Sequence, residues 1–216
     1  MIGRQRRESP RVSTRAPAAS APRLFLPQAY EPGYDYPLLV WIGDDPGFDL
    51  GRTMARTSLR NYVAVATDPR GCSERAVWRA IDMARSRAAI HPGRIFLVGH
   101  AAGAALAFRT ACRHAGIVAG VVGLGGGFPL DEPLFADLER IRRLPMLVCR
   151  SRDDVAADAV RVDRTLRLFH AAGAVLALRI YPGRAALSRA VLADLNRWLM
   201  DEVCGPAAPR ATQCVR

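Results

Sequence analysis

The chain contains no lysine. All 31 basic side chains are arginine, set against 20 acidic ones for a net charge of +11 over 216 residues. The five cysteines, Cys72, Cys112, Cys149, Cys204 and Cys214, include no C-x-x-C pair, which removes the usual thiolate metal sites. Their odd number and scatter, together with a basic N-terminus that no apolar run follows, predict reduced thiols in a cytoplasmic protein. Long apolar runs are missing too. The longest stretch without a charge, Ala115 to Leu130, has 16 residues and is rich in glycine. A spanning helix needs about 20 apolar residues. Half of the chain is hydrophobic, which excludes wholesale disorder, and a chain of this length can bury about 70% of its unfolded surface without a disulfide or metal staple.

The charge is uneven. Residues 1–23 hold six arginines and one acid, residues 24–200 hold 23 arginines and 17 acids, and residues 201–216 balance. Residues 1–22 are expected to be a disordered basic tail, 23–203 a single folded domain and 204–216 a C-terminal tail. In the body, Arg161, Arg164 and Arg167 sit at helical spacing among acids and read as a solvated face. Nucleic acid or an anionic membrane would be partners for the tail alone.

Continuous apolar runs alternate with helical patterns. Strands are expected at Pro37–Ile42, Tyr62–Ala66, Arg94–Val98, Val118–Leu124, Leu144–Cys149 and Val175–Tyr181. Helices are expected at about Leu50–Leu59, Glu74–Ala89, Ala101–His114, Ala156–Ala172 and a last segment to Met200, with Ser73 and Ser188 as N-caps, Gly173 as a stop and His91-Pro92-Gly93 as a turn. This alternation predicts an α/β fold with a mostly parallel, doubly wound sheet. Sites in such sheets lie beyond the carboxyl ends of the strands.

One of those ends reads Gly99-His100-Ala101-Ala102-Gly103. It resembles the G-x-S-x-G nucleophile elbow of the α/β-hydrolases, with alanine in place of serine. Neighbouring blocks narrow the resemblance to the phospholipase/carboxylesterase branch, which includes acyl-protein thioesterases and depolymerase-like esterases. Tyr30–Ile42 resembles the approach to that branch's oxyanion loop, His91–His100 the strand into the elbow, Ala119–Gly126 the strand after the elbow helix, and Arg179–Gly183 with Asn196–Leu199 the last strand and helix. The resemblance covers about residues 24–200 and implies an α/β-hydrolase fold without a large cap domain.

The resemblance also assigns catalytic positions, and the chemistry is missing from two of them. A serine attacks, a histidine takes its proton and an acid orients the histidine. Here the nucleophile position is Ala101, the histidine position after Tyr181-Pro182 is Ala185, and the acid position is Asp153, followed by Asp154. The oxyanion-loop equivalents are Gly43, Asp44 and Ala102, in a loop that reads Ile42-Gly43-Asp44-Asp45. Carboxylates beside a developing oxyanion oppose its charge unless they point away. Of the four histidines, His91, His114 and His170 read as surface or boundary residues, and His100 stands nearest to the elbow. Cys112 and Cys149 read as small core hydrophobes.

The remaining motifs carry little. Gly123-Leu124-Gly125-Gly126-Gly127 lacks the Lys-Ser/Thr of a phosphate loop, and Asp44, Asp45 and Asp49 lack calcium-loop spacing, so neither cofactor nor metal is expected. The leading expectation is a pseudo-hydrolase that holds a small acyl or ester-like ligand above Ala101. The alternatives are an esterase with an unorthodox nucleophile, Cys149 or a water activated by Asp153, and an adaptor that works through its arginine tail.

Overall fold

A computed structural model describes residues 22–68, 73–126, 138–153, 159–183 and 187–203. Seven strands form one sheet in the order β1-β3-β2-β4-β5-β6-β7. They are β1 (Arg23–Phe25), β2 (Tyr36–Ile42), β3 (Val63–Ala66), β4 (Ile90–His100), β5 (Val118–Leu124), β6 (Met146–Ser151) and β7 (Leu176–Tyr181). Only β1 runs antiparallel, pairing with β3; the pairings from β3 through β7 are parallel. The helices are α1 (Leu50–Thr57), α2 (Glu74–Arg87), α3 (Gly103–Arg113), α4 (Leu138–Arg142), α5 (Ala159–Ala171) and α6 (Arg189–Trp198), the last running into a π-helical turn at Leu199–Val203. None of the described helices is long and apolar enough to cross a membrane.

The continuous apolar strands follow from burial on both faces. Every residue of β2 is buried. Successive side chains of a strand point to opposite faces. Leu38, Val40 and Ile42 accordingly join one core with Val77 and Ile81 of α2 and Phe108 of α3, whereas Leu39 and Trp41 join the other with Met54 of α1 and Leu195 and Trp198 of α6. Each such side chain contributes about 1.5–3 kcal/mol by leaving water.

Local signals sit where the sequence places them. The Ser73 hydroxyl accepts from the Ala76 amide and the Ser188 hydroxyl from the Val191 amide, both at 3.3 Å. Gly173 ends α5 at φ 69°. Three expectations need correction. The turn at His91-Pro92-Gly93 lies inside β4: Ile90 already pairs with Tyr36, and the register slips before Ile95 meets Leu38. The Gly93 amide donates to His91 Nδ1 at 3.1 Å, so the turn chemistry survives as a bulge that takes up a proline without an amide hydrogen. The elbow helix starts at Gly103 rather than Ala101, because Ala101 has φ 50°. The last α-helix stops at Trp198, short of Met200. Strand β1 and helix α4 are additions. β1 is three residues long with Pro27 just beyond, too short for an apolar period to register. The tails expected at 1–22 and 204–216 lie outside the described residues, apart from Pro22.

Candidate functional site

Strand β4 ends in the elbow. Ala101 holds a left-handed backbone, φ 50°, which costs a residue with a Cβ about 1–2 kcal/mol. Its amide donates to Leu124 O of β5, and its carbonyl accepts from the Ala104 amide, both at 3.1 Å. Close backbone approaches enforce the glycines around it. A Cβ on Gly99 would lie 2.4 Å from Ala104 Cα, and one on Gly103 would lie 2.1 Å from Ile42 O and 2.9 Å from Gly43 Cα. Gly126, at φ 95°, passes so near that a Cβ there would lie 2.1 Å from Ala101 O. The structure therefore brings Gly103 against Ile42 and Gly43, pairs Gly99 with Ile42, and sets Ala101 beneath Gly126. Ala102 is the N-cap of α3 and offers no capping side chain.

The acidic loop after β2 serves local turns. Asp45 Oδ1 accepts from the Gly47 amide at 2.8 Å, and Asp49 Oδ1 caps α1 by accepting from the Arg52 amide at 3.0 Å. Among the described residues no three His, Cys, Asp or Glu side chains gather as a metal site.

The other candidates are dispersed. His114 Nε2 lies 2.6 Å from Glu74 Oε1 at the far end of α3. His91 sits in the bulge of β4, and His170 is exposed on α5. Asp153 is exposed just beyond β6. Ala185 and Asp154 lie outside the described residues. The strand that leads to Ala185 ends as expected at Tyr181, and Gly183 turns the chain at φ 76°. Cys149 is buried between the sheet and α6; burial pushes its thiol up to about 11, partly offset by a Tyr181 hydrogen bond and the Arg179 charge. Burial alone raises Cys112 to about 12. Neither supplies a thiolate near neutral pH.

His100 is different. It follows Gly99 at the end of β4 and lines a cleft with Gly43, Asp45, Trp41, Phe48 and Thr67. Burial lowers its pKa, and the nearby Asp45 and Asp44 charges only partly oppose this, so the ring is held neutral. Trp41 packs on Phe48 with ring centroids 5.5 Å apart. Arg23 donates to Phe48 O and stacks over the Phe48 ring at 5.7 Å. On residues that line this cleft, three buried polar atoms have no hydrogen-bond partner among the described residues: Trp41 Nε1, Thr67 Oγ1 and His100 Nδ1. In the sequence Trp41 reads as part of a core strand, and Thr67 carries no signal of its own. Only sheet register joins them.

Comparison with solved structures shows the fold to be that of the α/β-hydrolases. A thermostable esterase is 18% identical with a TM-score of 0.58, over 75% of this chain and 50% of that one, so the chain spans half of its length. Est1E from Butyrivibrio proteoclasticus is 11% identical with a TM-score of 0.60, over 85% of this chain and 94% of that one. The AtxE2 isopeptidase, in an alanine-for-serine variant with Astexin3-dC4 bound, is 18% identical with a TM-score of 0.61, over 89% of this chain and 40% of that one. No protein-family model and no curated protein matches the chain.

Proposed function

We propose that this α/β-hydrolase-fold protein is a pseudo-hydrolase of the phospholipase/carboxylesterase type, which binds a small acyl or ester-like ligand and does not cleave it. One observation carries the reading: the elbow keeps its strained backbone at φ 50° while the residue there, Ala101, has no heteroatom. Acyl transfer needs a nucleophile at that atom, a base to take its proton and donors for the oxyanion. A methyl group cannot attack, and Ala185 cannot accept a proton. Loss of one triad member costs about 10⁴–10⁶ in turnover. What supports binding is the backbone: α3 starts hard against Ile42 and Gly43, and amides at its start are the donors an acyl oxygen would meet without a reaction following. The similar AtxE2 isopeptidase, with alanine for serine and Astexin3-dC4 bound, is a case of this fold holding a ligand in an alanine variant.

The competing reading, an esterase with an unorthodox nucleophile, loses support at Cys149, whose thiol is buried and pushed up to about 11. The free thiols of Cys112 and Cys149 favour placement in a reducing cytoplasm.

The protein should take up no fluorophosphonate label and turn over no short-chain nitrophenyl ester above a denatured control. Stoichiometric labelling would overturn the proposal. The double variant Ala101→Ser, Ala185→His tests the positioning: recovered turnover marks a site that still has its shape.

A further inference from the structure

We propose that the cleft beside the elbow, at the carboxyl ends of β3, β2 and β4, is a binding site for a small neutral molecule, held through a carbonyl oxygen by the Trp41 indole N–H and the Thr67 hydroxyl. Sheet register assembles it. Trp41 pairs with Ala66 on one side and Val98 on the other. Thr67 follows Ala66, its amide donating to Trp41 O at 2.9 Å. His100 stands two residues beyond Val98. Trp41 is 2% exposed and Thr67 4% exposed, yet among the described residues Trp41 Nε1, Thr67 Oγ1 and His100 Nδ1 have no partner. Buried polar groups are nearly always satisfied, so three atoms without a partner among the described residues, all on side chains that line one cleft, call for an occupant.

Donor chemistry specifies that occupant. An indole N–H can only donate, so the occupant must present an acceptor. A hydroxyl can donate to the same oxygen. The apolar part of the wall, from the Trp41 and Phe48 rings and Ala66, suits a short aliphatic body. The local charge disfavours an anion: the Asp45 carboxylate lines the cleft, and the nearby guanidinium of Arg23 is committed to Phe48 O. A neutral amide, ketone or ester fits, and a carboxylate does not. The space within the cleft is about 10 Å³, the room of one water. Phe48 is half-buried and carries an exposed Arg23 on its carbonyl, so entry of a larger body requires the Phe48 side chain to move. The site uses neither Ala101 nor Ala185 and stands or falls separately from the loss of catalysis.

The test observes the indole N–H itself. In the full-length ¹⁵N-labelled protein, the Nε1–H signals of Trp41, Trp78 and Trp198 are separated, and Trp41→Phe or the response to Thr67→Val assigns that of Trp41. Titration with butyramide should move the Trp41 signal saturably, with butylamine inert and butyrate weaker. Thr67→Val should weaken butyramide binding about two- to tenfold. Three results would overturn the proposal: no saturable shift of the Trp41 signal, the occupant then being water only; butyrate binding more tightly than butyramide; or Thr67→Val binding as well as the parent.

Discussion

The elbow and the cleft beside it share the end of β4, and they keep opposite things. The elbow keeps its backbone and lacks chemistry: Ala101 holds φ 50° among glycines that cannot carry a Cβ, and presents a methyl group. The cleft has chemistry without partners: Trp41, Thr67 and His100 present polar atoms that nothing in the described protein satisfies. The difference separates what packing demands from what it does not. The elbow glycines are required by the close approach of β2 and α3, so the turn persists whether or not a nucleophile sits on it. Packing does not require a buried hydroxyl or indole N–H to lack a partner; it opposes this. The polar atoms of the cleft therefore need a reason outside the fold, and the elbow does not.

The strongest way to break this comparison is Gly103→Ala. The added Cβ would lie 2.1 Å from Ile42 O, a backbone atom that cannot move without β2. Overpacking of this kind costs about 3 kcal/mol or more. Gly33→Ala is the control, since a Cβ there meets nothing within 4 Å. Urea unfolding should find the first variant severely destabilised and the second close to the parent. Equal tolerance would mean that the elbow is not enforced by packing.

Thr67→Val sharpens the other half. If the hydroxyl is an unsatisfied buried group in the empty protein, a shape-matched methyl should stabilise the fold, by about 1 kcal/mol. The expected signature is a raised urea midpoint at an unchanged slope, combined with weaker ligand binding. Destabilisation would show that Thr67 has a structural partner and that the cleft is ordinary core.

The two regions also differ in how far the sequence discloses them. The elbow is legible because Gly99, Ala101 and Gly103 are close in the chain and their spacing is itself the motif. Strands β2 and β5 are legible as unbroken apolar runs, and the Ser73 and Ser188 caps as hydroxyls ahead of helical periods. The cleft is not legible, because Trp41 and His100 lie on two strands and Thr67 just beyond a third, and they meet only through sheet register. Trp41 in an apolar run looks like any core side chain. The bulge in β4 misleads for a related reason: Pro92-Gly93 is a turn signal in isolation, and pairing of Ile90 with Tyr36 overrides it.

The smallest expected effect concerns His100, which belongs to both regions, following Gly99 of the elbow and lining the cleft. Burial lowers its folded pKa below the ordinary 6.5, against the opposing pull of Asp45 and Asp44. Above 6.5 the ring is neutral in both the folded and unfolded chains, and its contribution is constant. As pH falls through 6.5 the unfolded chain takes up a proton that the folded chain does not, so stability is lost until the lower folded pKa is reached. The residue is only partly buried, so solvent screening keeps the slope shallow. Comparing urea midpoints of the parent and His100→Gln across this range isolates it: the parent should lose stability relative to the variant on acidification. The opposite sign would mean that the Asp44 and Asp45 charges outweigh burial. The ring would then be a cation in the folded state, and the cleft would favour an anion over the neutral carbonyl that Trp41 and Thr67 are arranged to hold.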